Sequence, residues 1–211
     1  MDIKDRVVVI IEYFSKQPLV KTELNFNNPY QLIIAIVLSA QCTDKRVNLV
    51  TPTLFDKYNN FTELSIAKYD EVYNVIKSIS YPKIKTQRII NISKILSQKY
   101  DETIPNNVET LVNIDGIGRK TANLVTAILY DAPHIAVDTH VARVSTRLEL
   151  VKSNNPDKIE TELSSLFPQK YHNKINPWFV MFGRYKCKSI KPNCENCDLK
   201  NICSYRDLHD K

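Results

Sequence analysis

Glycine is scarce in this chain, since only three of its 211 residues are glycine, and two of these, Gly116 and Gly118, lie one residue apart. So few glycines exclude their use as general loop filler, because glycine is kept where the backbone needs a positive φ or where another molecule must come close. Apolar residues precede the pair at 108–112 and follow it at 122–129. This pattern predicts a tight turn between two short helices, whose unpaired N–H groups face an anion.

Membrane-spanning apolar runs, a secretory signal and low-complexity segments are absent from the sequence. The longest apolar run, residues 32–38, has the length of a core helix segment, and residues 1–5 lack the signal-peptide pattern. We therefore expect a cytoplasmic protein that does not bind a membrane.

Apolar/polar alternation, the pattern of a strand, is not sustained anywhere, whereas apolar residues recur every three to four positions. Three helix starts are marked by a capping residue or a first-turn proline, at residues 28–29, 138 and 156. Pro52 is expected to break or kink the helix that begins after Thr43. The sequence therefore predicts an all-α protein.

Positive charge predominates: 29 lysines and arginines stand against 23 acidic residues, which leaves a net charge of +6 and an isoelectric point near 9.0. Residues 72–100 alone carry six bases and no acid. A basic chain of this kind fits a polyanionic partner, although a charge run is also typical of a solvated helix face.

Four of the five cysteines are crowded near the end of the sequence with the spacing C-x6-C-x2-C-x5-C, at Cys187, Cys194, Cys197 and Cys203. In a cytosolic chain such a group is more typical of a metal site than of disulfides. Four thiolates suit both tetrahedral zinc and an iron–sulfur cluster, so the residue types leave both open. Cys42 stands apart and is expected to be a small buried residue.

Together these motifs resemble the helix-hairpin-helix DNA glycosylases of the endonuclease III type. Four segments carry the resemblance in the family's order: 38–41 with 43–44, the hairpin 116–123, residues 135–140, and the cysteine spacing. The resemblance runs essentially from end to end and favours a 4Fe–4S cluster over zinc. It implies a base-excision repair enzyme that removes oxidised pyrimidines from duplex DNA and cleaves the abasic site on its 3′ side.

The resemblance implies that Lys120 is the nucleophile and Asp138 its carboxylate partner. A primary amine attacks C1′ of the damaged nucleotide and forms a Schiff base, which permits β-elimination. A free lysine has a pKa of about 10.4, so the helix N-terminus, Arg119 and desolvation are expected to disfavour its ammonium form. Asp138 would accept a proton and stabilise positive charge on the sugar. By residue type alone, Lys120 would be a solvated side chain and Asp138 a helix cap.

The resemblance also implies a set of contacts to double-stranded DNA. Gln41 would fill the space left by the flipped base, and Tyr81 stands at a second wedge position. Lys191, between the first two cysteines, would meet phosphate. Backbone and cationic contacts to phosphate are assigned to the hairpin, at Gly116, Ile117, Gly118 and Arg119.

The implied architecture is two helical domains with the active-site cleft between them, so that Lys120 and Asp138 come from different walls. Residues 22–131 would form a six-helix domain with the helix-hairpin-helix at about 108–127. Residues 1–21 and 132–211 would form a cluster domain with the 4Fe–4S loop at 187–203. We expect a monomer of the prokaryotic, nucleoid-associated type.

Three positions depart from the family pattern. Asp115 stands where proline is usual, which is expected to loosen the turn and to put an acid near DNA. Residues 80–82 replace a glycine-containing loop, and Cys42 replaces an alanine.

Three other functions fit parts of the pattern: an adenine-mismatch glycosylase without lyase activity, a non-catalytic DNA-binding protein with a hairpin and an iron–sulfur loop, and a zinc-stabilised structural protein. Lys120 argues against the first, because that type lacks the lysine nucleophile. Lys120 together with Asp138 argues against the second. The colour of the purified protein would separate zinc from iron.

Overall fold

The structure, a computed structural model, describes residues 1–205, and all of its regular elements are helical. The α-helices are Ile3–Ser15 (α1), Pro29–Ser39 (α2), Asp44–Lys57 (α3), Phe61–Ser65 (α4), Tyr69–Ile76 (α5), Pro82–Tyr100 (α6), Val108–Val112 (α7), Arg119–Tyr130 (α8), Thr139–Arg147 (α9), Pro156–Leu166 (α10) and His172–Tyr185 (α11). Two 3-10 helices span Gln169–Tyr171 and Lys200–Ile202. With no strand in residues 1–205, the all-α prediction is confirmed.

The chain divides into two compact units, which we call the hairpin unit, Glu23–Tyr130, and the cysteine unit, Met1–Thr22 with the chain from Asp131 onward. Within residues 1–205, no helix is long and apolar enough to cross a membrane.

The hairpin unit is built around α2. Asn28 caps this helix by accepting the N–H of Gln31 at 2.9 Å, and residues 32–38 are all buried. The helix packs against α3, α6 and α8. The unit contains seven described helices, α2 to α8, and Asn60 caps the short helix α4.

Helix α3 runs through Pro52 without the break that a proline can cause. Buried residues lie on both sides of the proline, among them Val47 and Leu54, and belong to the same hydrophobic core. Packing on both sides therefore outweighs the loss of one backbone hydrogen bond.

The cysteine unit includes the N-terminal helix because of aromatic and polar contacts. Phe14 of α1 stacks on Trp178 with ring centroids 5.6 Å apart and packs edge-on against Phe182 at 5.5 Å. The Arg6 guanidinium donates to the carbonyl oxygens of Leu148 and Ile202, both at 2.9 Å. These contacts hold α1 against segments more than 140 residues away in sequence.

The turn between α7 and α8 has the backbone that the glycine pair predicts. Gly116 has a φ of +97°, and a Cβ at this position would lie 3.3 Å from side-chain carbons of Arg88 and Ile92. At Gly118, by contrast, a Cβ would meet no atom within 4 Å.

Gly116→Ala is therefore expected to lower the free energy of unfolding by about 1–3 kcal/mol, through backbone strain and crowding. Gly118→Ala is the matched control and should change it by less than about 0.5 kcal/mol. Urea unfolding followed by circular dichroism measures both variants. Equal destabilisation by the two substitutions would contradict the distinct role of Gly116.

Candidate active site and DNA interface

The hairpin turn directs the start of α8 towards solvent. Gly118 accepts the first hydrogen bond of α8 from the N–H of Ala122 at 3.0 Å, so the helix itself offers no acceptor to its first N–H groups. The N–H of Ile117 donates to the Ile114 carbonyl at 3.0 Å, and its side chain is buried. A phosphate contact from Ile117 would therefore compete with a hydrogen bond that closes the turn.

An open pocket in front of the turn is lined by both glycines and by residues from α6 and the end of α2, including Arg88 and Ala40. Arg88 is exposed and is a cation that the sequence motifs did not single out. In the sequence, Arg88 was indicated only by its position in the basic run 72–100. That run does not show which of its six bases lies near the hairpin.

Asp115, at the leading edge of the turn, is exposed. Asn91 of α6 donates to its carbonyl oxygen at 3.3 Å and to its carboxylate at 3.4 Å. A proline at position 115 would stiffen the backbone of the turn covalently. With aspartate at this position, the hydrogen bonds from Asn91 join the turn to α6.

Lys120 and Arg119 occupy the first turn of α8, and both side chains are exposed. Arg119 donates two hydrogen bonds to the Glu109 carboxylate of α7, at 2.9 and 3.3 Å. These bonds hold the pKa of Glu109 below its usual range. This ion pair joins α7 to α8, the two helices of the hairpin, and offsets part of the Arg119 charge.

Asp138 is the N-cap of α9, and its carboxylate is half-buried. A single oxygen, Oδ1, accepts the N–H groups of His140 at 2.9 Å and Val141 at 2.8 Å. The predicted capping role of Asp138 is therefore confirmed. Two backbone donors also fix the orientation of the carboxylate, as a catalytic group requires.

Gln41, Tyr81 and Lys191 share an uncommon backbone conformation. Their φ angles are +52°, +54° and +50°, and together with four other residues they are the non-glycine positions of positive φ in residues 1–205. Such a conformation costs about 1–3 kcal/mol and persists where the surroundings enforce it, often at functional sites. All three side chains are exposed.

The four C-terminal cysteines are brought together around one cavity, which Arg147 and Phe182 also line. All four are free thiols. Burial raises the pKa of Cys197, a backbone hydrogen bond from Leu199 lowers it, and the neighbouring Cys187 and Cys203 sulfurs raise it again. A bound metal centre would reverse this balance.

Two arginines of α9 form hydrogen bonds to the cysteine loop. The spacing of the cysteines in the sequence did not indicate either arginine. Arg147 is buried, and its Nη1 donates to Cys187 Sγ at 3.2 Å and to the Lys188 carbonyl at 2.7 Å. Arg143 Nε donates to the Cys187 carbonyl at 3.2 Å. The Cys203 thiol in turn donates to the Arg147 carbonyl at 3.3 Å.

The third glycine of the chain makes room for this arrangement. A Cβ on Gly183 of α11 would lie 3.1 Å from Arg143 Nη2 and 3.1 Å from His140. Arg143 Nη2 donates to the Gly183 carbonyl at 2.9 Å. The close approach of α11 to α9 thus leaves little room for a side chain at this position.

Residues 34–169 match the family described as HhH-GPD superfamily base excision DNA repair protein. Endonuclease III of Rickettsia felis is 41% identical over 197 residues, which cover 93% of this chain and 92% of the relative.

Two solved structures are similar over nearly the whole chain at 34% identity. A non-covalent endonuclease III–DNA complex has a TM-score of 0.91 and covers 100% of both chains. A trapped endonuclease III–DNA covalent intermediate, an estranged-adenine complex, has a TM-score of 0.90 and covers 99% of this chain and 97% of the other.

Proposed function

The chain belongs to the endonuclease III family of the HhH-GPD superfamily, bifunctional DNA glycosylases and AP lyases of base excision repair, and we propose that it acts on oxidised pyrimidines in duplex DNA through Lys120 and Asp138. The observation that carries this assignment is the placement of both groups at helix N-termini. Lys120 follows the hairpin turn directly, and Asp138 is held by two backbone N–H groups. The covalent DNA intermediate of a relative supports a nucleophilic route.

Lys120 supplies the amine. Its Nζ lone pair attacks C1′, the N-glycosidic bond breaks, and the departing base takes the bonding electrons and a proton. The C1′–O4′ bond of the resulting aminal then opens, O4′ takes a proton, and the nitrogen lone pair forms the C1′=N bond of a Schiff base. The Schiff base acidifies the C2′ hydrogen, and elimination then breaks the bond from C3′ to its phosphate oxygen.

Asp138 supplies a fixed negative charge. With Oδ1 engaged by the N–H groups of His140 and Val141, the carboxylate is oriented before substrate binds. It stabilises the positive charge that develops on the sugar as the base leaves, and it takes up the proton of the attacking amine.

We propose that the DNA contacts divide between the hairpin and three strained loop positions. The start of α8 and Arg88 meet phosphate, and Gln41 and Tyr81 enter the duplex where the base has left. Lys191 contacts phosphate from the cysteine loop. The positive φ of Gln41, Tyr81 and Lys191 supports this division, because strained backbone conformations often occur at functional sites.

The cysteine loop is proposed to hold a 4Fe–4S cluster. Cys187, Cys194, Cys197 and Cys203 line one cavity as free thiols. Four cysteine thiolates are the ligand set of a 4Fe–4S cluster. When bound, it supplies a rigid centre that braces the Lys191 loop and performs no redox step in base removal.

We further propose that the hairpin unit and the cysteine unit are the two domains of the enzyme, and that it acts as a monomer on DNA in the cytoplasm of a prokaryotic cell.

Borohydride trapping tests the nucleophile. The wild-type protein should form a covalent adduct with duplex DNA that contains an oxidised thymine, and Lys120→Ala should form none, because only a primary amine yields a reducible Schiff base. Lys99→Ala removes an exposed lysine at the end of α6 and is the matched control, with adduct formation unchanged. An undiminished adduct from Lys120→Ala would refute the assignment.

Asp138→Asn separates the catalytic role from the capping role. Asparagine caps a helix as well as aspartate, so stability and DNA binding should be retained while single-turnover base release falls about 100-fold or more. Asp157→Asn, in the first turn of α10, provides a control with full activity. Unchanged base release in Asp138→Asn would remove Asp138 from the chemistry.

Arg147→Met tests the support of the cysteine loop. Without the guanidinium bonds to Cys187 and Lys188, the protein should lose iron to a chelator about tenfold faster. Iron content and visible absorbance follow the loss, and Arg46→Met, at an exposed site in α3, is the control. Equal iron retention in the two variants would show that Arg147 does not support the centre.

A further inference from the structure

We propose that Lys85 is a positioning residue that joins the Gln41 turn to the Tyr81 loop, so that both side chains are directed into the duplex together. This inference rests on the wedge roles of Gln41 and Tyr81 in the proposed function.

Lys85 differs from the rest of the basic run in being buried. Its side chain belongs to the core of the hairpin unit, with a relative exposure of 2%, whereas the other five bases of residues 72–100 are exposed. A buried ammonium group is unfavourable unless it is paired. Its presence in the core therefore indicates a specific polar contact.

That contact is with the end of α2. Lys85 Nζ donates to the Leu38 carbonyl at 2.8 Å. The last four carbonyls of a helix lack intrahelical donors, and a positive charge at this end complements the helix dipole. The Lys85 ammonium therefore caps the C-terminal end of α2 from inside the core. Because this position is buried, water does not replace the ammonium as the donor to Leu38.

Gln41 lies three residues beyond this carbonyl, in a turn that needs support. The N–H of Cys42 donates to the Ser39 carbonyl at 2.9 Å, and the Ala40 angles of φ −56° and ψ 118° with φ +52° at Gln41 make this a type II turn. Type II turns favour glycine at the position that Gln41 occupies. Anchoring the preceding helix end through Lys85 keeps Gln41 in this strained conformation.

The same residue is also bonded to the Tyr81 loop. The backbone N–H of Lys85 donates to the Tyr81 carbonyl at 3.1 Å, which is the first hydrogen bond of α6. Tyr81 has φ +54° and ψ 48° and makes no side-chain cap. Lys85 thus bonds to Tyr81 through its backbone and to the helix end before Gln41 through its side chain.

Burial lowers the pKa of Lys85, and Arg88 acts in the same direction, whereas the Cys42 thiol raises it.

These two contacts of Lys85 affect the step in which the damaged base leaves the duplex. A wedge that is already ordered loses less conformational freedom when it enters the duplex, and small misplacements of such groups reduce rates strongly. Loss of the Lys85 ammonium should therefore slow reactions that require opening of a duplex. It should spare the lyase reaction on an abasic site in single-stranded DNA, where no base must be replaced.

Lys85→Met tests this with two substrates. Single-turnover base release from duplex DNA containing an oxidised thymine should fall about 10-fold to 100-fold, while the lyase rate on a single-stranded abasic oligonucleotide should change less than about twofold. Lys85→Arg, which can donate to Leu38, should restore most of the duplex rate. Lys94→Met, the same change at an exposed position of α6, should match wild type on both substrates.

A double-mutant cycle shows whether Lys85 acts through the wedges. In a Gln41→Ala/Tyr81→Ala background, Lys85→Met should have little additional effect on the duplex rate. If Lys85→Met proves unfolded by circular dichroism, Lys85→Gln takes its place in the cycle, since its amide is a weaker, uncharged donor.

Equal losses on both substrates, an unchanged duplex rate, or full additivity with the wedge substitutions would each overturn the positioning role. Failure of the wild-type protein on both substrates would instead refute the proposed function.

Discussion

Unsatisfied backbone groups at helix ends are the constraint on which the candidate site depends. Every helix leaves N–H groups at its start and carbonyls at its end that need partners from elsewhere. Lys120 and Asp138 both stand at helix starts, and Gln41 follows a helix end whose Leu38 carbonyl is bonded by a buried lysine. An all-α protein with short helices therefore offers many places to bind an anion or orient a side chain.

Three of the seven non-glycine positions of positive φ in residues 1–205 carry side chains that are proposed to reach DNA. Gln41, Tyr81 and Lys191 all lie in the left-handed region, which is unfavourable for residues with a Cβ. The first two are attached to α2 and α6, which pack against each other within a single core. The unfavourable backbone is thus maintained by burial nearby, at positions where local propensity alone would prefer another conformation.

The cysteine loop shows a similar dependence on an adjacent helix. Arg147 and Arg143 of α9 bond to Cys187 or its neighbour Lys188, and α9 begins at Asp138. One short helix therefore carries the candidate catalytic carboxylate at its start and the arginines that hold the cysteine loop farther along. Gly183 permits α11 to approach this helix closely.

The sequence by itself determined the helical class, the hairpin turn, the Asp138 cap and the family, because helix caps, glycine at positive φ and cysteine spacing are local signals. It indicated a break or kink at Pro52, but α3 continues through the proline because buried residues pack on both sides of it. Only the tertiary structure distinguished Lys85 from its exposed neighbours and showed that Arg147 supports the cysteine loop. Burial and contacts between distant segments depend on how the helices pack, and no local pattern of residues records them.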